Sequence, residues 1–254
     1  MMKIDKIALV TGGARRIGKA IVEDLAAHGF AVAIHFNSSE DDAAVLAASI
    51  RERGGRTALI QADLADMDAV GRVVEEAARE LGPLRLLINN ASLFEADTID
   101  SFDWATWDRH FAIHLKAPTQ LSRDFAAQLP PHADGLVVNI VDQRVWRPTP
   151  NYFSYTLSKS ALWTATQTMA QALGPHVRVN AIGPGPALAS ARQDPDDFQA
   201  QIDGLILRRG PALAEFGMTI RYLWEARSIT GQMIAIDGGQ HLAWQTPDVT
   251  GIKE

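Results

Sequence analysis

The chain has 254 residues, 24 Lys and Arg against 30 Asp and Glu (formal charge −6), 47% hydrophobic residues and no cysteine. That length suits one α/β domain, and the composition is that of an ordinary globular protein, neither disordered nor fibrous. Disulfides, thiolate metal sites and a cysteine nucleophile are excluded, and the acidic balance excludes a nucleic-acid coat or a surface tuned to anionic lipid.

The first apolar run, Ile4–Val10, is short and leads into a Gly-rich turn, so it reads as a strand and not as a signal peptide. No stretch reaches the roughly 18–20 apolar residues of a membrane span, so a cytoplasmic protein is expected. Lys6–Val10 is predicted as a buried strand ended by Thr11-Gly12-Gly13. Ile17–Ala27 is a helix with Ile17, Ile21, Val22 and Leu25 at helical spacing, stopped by His28-Gly29. Ala31–Phe36 is the second strand, Glu40–Arg53 an Ala-rich helix and Thr57–Gln61 the third strand. Ala69–Leu81 is a helix stopped by Gly82-Pro83, and Leu84–Ile88 the fourth strand.

Trp104–Leu129 carries one or two helices, bent or broken near Pro118. Gly135–Val141 is the fifth strand, Ser154–Ala172 a long helix and Val177–Ile182 the sixth strand. Gly183–Asp203, Pro/Gly-rich and then acidic, reads as the one long irregular stretch, expected to close over a substrate. Within it Asp194–Asp197 reads as a solvated helix start. A helix at Ala212–Ala226 and a strand at Gln232–Ile236 follow. Apolar strands alternating with helices imply a single doubly wound parallel sheet, Rossmann-type, with helices on both faces. No repeat, low-complexity tract or interdomain linker interrupts it.

Thr11-Gly12-Gly13-Ala14-Arg15-Arg16-Ile17-Gly18 follows a strand and opens a helix. Glycines let the backbone approach a pyrophosphate, and a helix N-terminus offers it free N–H groups. An acid at the end of the second strand would select NAD through a ribose hydroxyl. Here the chain reads His35-Phe36-Asn37-Ser38-Ser39, with no carboxylate until Glu40. Arg15 is instead expected to meet a 2′-phosphate, helped by Asn37 and Ser38, which points to NADP. Asp63 and Asn89-Asn90-Ala91-Ser92 lie at C-terminal strand ends, where open parallel sheets bind ligands, although such residues are also common in turns.

Tyr155 and Lys159 stand four apart on one helix face. A nearby ammonium favours tyrosinate, so the pair is expected to bring a phenol into use near neutral pH. Alone, such a spacing would be a core Tyr and a surface Lys; here it follows the fifth strand of a sheet with a nucleotide turn. The seven His residues are scattered along the chain, and no metal site is expected. Trp146 and Trp244 lie in predicted loops, at a pocket or a subunit interface.

Together these residues resemble the short-chain dehydrogenase/reductase family, from Thr11-Gly12 through Asn90-Ala91, Tyr155/Lys159 and Pro184-Gly185 to Asp237-Gly238-Gly239. The resemblance implies an NADP-dependent oxidoreductase in which Tyr155 gives or takes the proton. Lys159 would hold the nicotinamide ribose and lower the Tyr155 pKa. The cofactor would lie against Gly12, Arg15, Arg16 and Ile17, then Phe36, Asn37 and Ser38. Further contacts would come from Asp63 and Leu64, Asn90 and Ala91, and Pro184 and Gly185.

Three positions depart from the family's common pattern: Arg16 replaces a turn glycine, Asp142 the catalytic Ser, and His114 a helix Asn. The first two, with Ser92 and Phe94, resemble the pteridine reductase branch; His114 and Asp237-Gly238-Gly239-Gln240-His241-Leu242 are similar to its bacterial dihydromonapterin/dihydrofolate reductases. That resemblance implies a pterin stacked on Phe94, with Arg16 and Ser92 at its polar edge and Asp142, Tyr155 and Lys159 handling the proton. It also implies a homotetramer. The rivals are a carbonyl reductase, for example of 3-oxoacyl groups, which would want Ser at 142, and a catalytically silent NADP-binding sensor.

Overall fold

The computed structural model describes residues 6–189, 194–246 and 250. Ile4, at the head of the first predicted run, lies outside them, as do residues 190–193 of the predicted irregular segment.

Seven strands form one parallel sheet: β1 Ile7–Val10, β2 Ala31–Phe36, β3 Thr57–Gln61, β4 Leu86–Asn89, β5 Gly135–Ile140, β6 Val177–Pro184 and β7 Met233–Ile236. Their order is β3-β2-β1-β4-β5-β6-β7. The winding reverses between β1 and β4, and the crevice at such a switch point is where open sheets take ligands.

The alternation of side chains along each strand feeds two cores. Ala8 and Val10 of β1 face one core, with Ile21 and Leu25 of α1 (Arg16–Ala27), Ile50 of α2 (Glu40–Glu52) and Phe216 and Ile220 of α8 (Leu213–Glu225). Ile7 and Leu9 face the other, with Val70 and Val74 of α3 (Met67–Leu81) and Leu121 and Phe125 of α5 (Ala117–Ala127). Both faces of the sheet are therefore covered, which is why its strands are apolar throughout.

The boundaries move where caps and side-chain bonds intervene. Helix α3 starts two residues before its predicted start because the Asp66 carboxylate accepts from the Asp68 and Ala69 N–H groups. The Trp104–Leu129 stretch divides into α4 (Trp104–Phe111), a wide π turn (Ala112–Lys116) and α5. Pro118 sits in the first turn of α5, where its missing N–H is tolerated, and the irregularity lies before it.

Gly183–Asp203 is not irregular throughout. β6 runs on to Pro184, and α7 (Pro195–Asp203) begins at Asp194, whose carboxylate accepts from the Asp196 N–H at 2.8 Å. Asp194–Asp197 is the expected solvated helix start. The long helix α6 spans Phe153–Leu173, one residue beyond its predicted limits at each end.

Candidate active site

The turn after β1 is held from three sides. Thr11 Oγ1 accepts from the Asn90 and Ala91 N–H groups at 2.9 and 3.0 Å, and Asn90 Nδ2 donates to the carbonyls of Thr11 and Gly12. The Gly12 N–H donates to Nδ1 of His35 at 3.1 Å, so that nitrogen is unprotonated and Nε2–H donates to the Ala62 carbonyl. Burial keeps this imidazole neutral, pulling its pKa to about 4. His35 is a residue that sequence reasoning passed over, since a buried His inside a strand carries no local signal.

Gly12 has φ +61°, and a Cβ on Gly18 would lie 2.0 Å from the Gly12 carbonyl oxygen. Only bare backbone fits where the turn closes on α1. Helix α1 starts without a capping side chain, whereas α3, α4 and α7 are capped by Asp66, Asp103 and Asp194. Its first amides thus lack the side-chain acceptor that those three helices carry, as a phosphate-binding turn requires.

Arg16 occupies the left-handed region, φ +50°, which glycine adopts without strain and a side chain does not. Its Nη2 donates to the carbonyls of Leu188 and Ala189 at 3.3 and 3.1 Å, so it anchors the chain that leaves β6. Arg15 is not free either: its Nε donates to Asp42 Oδ2 at 2.6 Å, and its Nη2 also pairs with that carboxylate. Beside it, a hollow of about 430 Å³ is lined by Ala14, Arg15, Lys19, Asp42 and Val45. Asn37 and Ser38 are exposed at the end of β2, while the Phe36 ring and Leu64 are buried in the two cores. Ile17 packs against the first of these cores.

Asp63 is spent on a local turn, accepting from the Ala65 N–H at 2.9 Å. Gly185 closes on Asp237: its N–H donates to Ile236, and a Cβ there would lie 2.7 Å from Asp237 Cα. Pro184 pairs with Ile236 in the last strand pair of the sheet.

On the other side of the crevice Asp142 follows β5 and Tyr155 lies in the first turns of α6. The Tyr155 hydroxyl donates to Asp142 Oδ2 at 2.8 Å, and the Arg144 N–H to Oδ1 at 2.8 Å. Lys159 Nζ donates to the Ile140 carbonyl at 2.8 Å and lies 5.8 Å from the Tyr155 ring centre. Burial, and then the Asp142 charge, push the phenol well above its ordinary pKa, while burial pulls the Lys159 amine to about 8. The expected lowering of the Tyr155 pKa by Lys159 is therefore corrected for the protein alone: desolvation and the Asp142 carboxylate raise it, and the charge that opposes them is that of Arg144. What results is a phenol held protonated, which is the donor form.

Phe94 is 40% exposed, with its ring stacked on Tyr152 (4.2 Å, 16°) and edge-on to Tyr155 (4.8 Å, 87°). Tyr152, at φ +57° just before α6, was not among the predicted site residues. It covers one face of Phe94, so a flat ligand has only the remaining open ring surface. Ser92 does not stand free for such a ligand: its Oγ lies 3.0 Å from His114 Nε2, which also accepts from the Leu93 N–H at 3.0 Å.

His114 Nδ1–H then donates to Ser158 Oγ at 2.8 Å, and Ser158 to the Tyr155 carbonyl at 2.7 Å. His114 is thus a neutral peg between the Phe94 loop and the Tyr155 helix. Burial and then Lys159 hold its pKa well below the usual imidazole value. Behind it runs another buried chain, in which His110 Nδ1 meets Ser154 Oγ at 2.6 Å and Ser154 donates to Asp97.

Among the described residues no group of three or more His, Cys, Asp or Glu is placed to hold a metal ion, and no helix is long and apolar enough to cross a membrane.

Comparison with known proteins bears on this geometry. Residues 6–199 match the short chain dehydrogenase family. The FolM alternative dihydrofolate reductase 1 of Brucella suis, solved in complex with NADP, is 60% identical, with a TM-score of 0.95 over 98% of this chain and 100% of that one. Its counterpart from Brucella canis, also complexed with NADP, is 60% identical, with a TM-score of 0.94 over 96% of this chain and 97% of that one. L-xylulose reductase of Bos taurus is 34% identical over 240 residues, 91% of this chain and 95% of its own length.

Proposed function

Because the chain belongs to the short-chain dehydrogenase family, we propose that it is an NADPH-dependent reductase of pterins or dihydropterins. The observation that carries this reading is the Asp142–Tyr155 hydrogen bond at 2.8 Å, where a ketone reductase of the family would carry a Ser hydroxyl.

The residues present fit the cofactor. The uncapped start of α1 and the Gly12–Gly18 contact leave room for a pyrophosphate and offer it N–H groups. Arg15 beside its hollow, with Asn37 and Ser38, would take the 2′-phosphate in exchange for Asp42. Lys159 makes one hydrogen bond among the described residues, which leaves ammonium donors for ribose hydroxyls. When bound, the dihydronicotinamide supplies the hydride.

The protein's part is the proton. Reducing a C=N bond puts a proton on a ring nitrogen, and Tyr155, held as a phenol, gives it. Burial and the adjacent carboxylate make a lasting tyrosinate costly, so the oxygen must be reprotonated as its proton leaves. Asp142, hydrogen-bonded to that oxygen, is placed to relay a proton to it from solvent. The same carboxylate suits a ketone poorly, because it repels a developing alkoxide. Phe94 supplies the aromatic wall, and Tyr152 fixes its angle.

The likeness to L-xylulose reductase keeps carbonyl reduction as a second reading. Steady-state NADPH oxidation with dihydropterins against ketones and 3-oxoacyl thioesters separates the two. Turnover of dihydropterins with weak or no turnover of ketones is expected; ketone turnover with silence on every pterin overturns the reading. No turnover of either class moves the protein to a silent NADP-binding role.

For the assembly we infer a homotetramer in the cytoplasm. Trp104, Trp107, Phe111 and Phe153 form an aromatic cluster on α4 and the start of α6, and Trp104 is 67% exposed, a surface more suited to a subunit than to water. Light scattering of the native protein tests it, and a monomer at micromolar concentration would refute it.

A further inference from the structure

We propose that Arg144 makes this site selective for acidic substrates, favouring dihydropterins whose ring carries a carboxylate-bearing substituent over neutral ones. This deepens the pterin reading and rests on it.

The other arginines near the site have protein partners. Arg15 is paired with Asp42, and Arg16 with the carbonyls of Leu188 and Ala189. Arg144 stands two residues after Asp142 in the short turn Gln143–Val145, with its backbone N–H fixed by that carboxylate. Its guanidinium makes no hydrogen bond or ion pair among the described residues. It lies 4.9 Å from the centre of the Tyr152 ring and 5.4 Å from that of Phe94. The side chain is held by aromatic rings while its N–H donors stay unused.

A guanidinium on aromatic rings loses little hydrogen-bonding capacity, because the attraction uses its plane and its donors lie along the edge. Those donors form a rigid fork that matches a carboxylate bidentately. The rings that hold Arg144 are the aromatic wall of the substrate site: Phe94 meets Tyr155 edge to face, and Tyr155 is bonded to Asp142. A flat substrate on that wall brings its periphery to the Arg144 edge. Its positive charge also opposes the upward shift of the Tyr155 pKa, which places it electrostatically within the same site. With a formal charge of −6 the chain as a whole repels acids, so an unpaired cation at the wall is what gives an acidic substrate a foothold.

A purely structural role, clamping Phe94 to Tyr152, would affect acidic and neutral substrates alike, and this decides the experiment. In the NADPH-saturated enzyme, kcat/KM is measured for a neutral dihydropterin and for dihydrofolate, whose tail ends in glutamate. Arg144→Gln should lower the dihydrofolate-to-neutral ratio by about ten- to hundredfold, as loss of a charge-assisted contact does, with the change in the KM for dihydrofolate. Arg144→Lys should recover part of it. An unchanged ratio overturns the proposal.

A titration independent of pterin turnover separates this failure from failure of the broader reading. p-Aminobenzoylglutamate, a flat dicarboxylate without a pterin ring, is titrated calorimetrically into the NADPH-loaded protein and its Arg144→Gln variant. Binding weakened tenfold or more by the substitution supports the role of Arg144 even if no pterin is reduced. Equal binding, or none to the native protein, overturns it.

Discussion

The two sides of the crevice are built on the same device and differ in everything else. On the cofactor side a buried neutral imidazole, His35, accepts the N–H of Gly12 and donates to the Ala62 carbonyl. On the substrate side another, His114, accepts the N–H of Leu93 and donates to Ser158. Each pins a loop to a neighbouring element through one ring nitrogen of each kind. Around His35, however, the groups offered to a ligand are mainly backbone amides, set by glycines and a helix start. Around His114 they are side chains, Asp142, Tyr155, Phe94 and Arg144, gathered from separate stretches of chain. Backbone recognition depends on local conformation, whereas the side-chain constellation depends on how α6, the Phe94 loop and the end of β5 are packed.

The largest expected effect separates the two sides. Tyr155→Phe removes a hydroxyl from the substrate side only, so turnover should fall by about 10²–10⁴ while NADPH affinity measured by fluorescence titration is retained. A comparable loss of NADPH binding would show that the sides are not independent.

Acid tests the shared device. The native His35 stays neutral down to about pH 4, whereas in the unfolded chain it takes a proton below the ordinary imidazole value of 6.5. The unfolded state thus binds more protons, and stability, full above that value, falls as the pH drops from 6.5 towards 4. His35 alone accounts for roughly 3 kcal/mol of this loss, and His114 adds in the same direction. Urea unfolding at several pH values should show the slope, and His35→Asn should flatten it. A slope unaltered by that substitution would mean that His35 is not the titrating group.

Next comes the specificity of the cofactor side. Arg15→Ala should weaken NADPH by about one to two decades, with a far smaller effect on NADH, because it removes one charge-assisted phosphate contact. Equal losses for the two cofactors would place the 2′-phosphate elsewhere. The smallest effect belongs to the aromatic wall. Phe94→Ala should raise the substrate KM by roughly the 0.5–1.5 kcal/mol that an aromatic pair adds beyond burial, about two- to tenfold, and leave NADPH affinity nearly unchanged. A larger shift in NADPH affinity than in KM would assign Phe94 to the cofactor side.

Much of the cofactor side was legible in the chain because its determinants are local. Thr11 to Gly18 carry their own geometry, and strand-then-helix periodicity locates them without knowledge of the neighbours. Arg15 was expected to meet a 2′-phosphate, and its pairing with Asp42 was not foreseen, since it depends on α2 lying against α1. The irregularity in 104–129 was foreseen, but its form, a π turn that carries His114 inward, was not.

By itself the sequence determined the alternation of strands and helices, the phosphate-type turn, and the pairing of a Tyr and a Lys on one helix face. It also determined the unusual residues Arg16, Asp142 and His114. Periodicity and glycine placement act within a few residues, and those interactions are written in chain order. Only the tertiary structure decided that the strands order as β3-β2-β1-β4-β5-β6-β7, and that Tyr155 is bonded to Asp142 and held as a phenol by burial. It alone stacked Tyr152 on Phe94 and left Arg144 without an anion among the described residues. These outcomes turn on desolvation and on contacts between distant segments, and neither exists until the chain has packed.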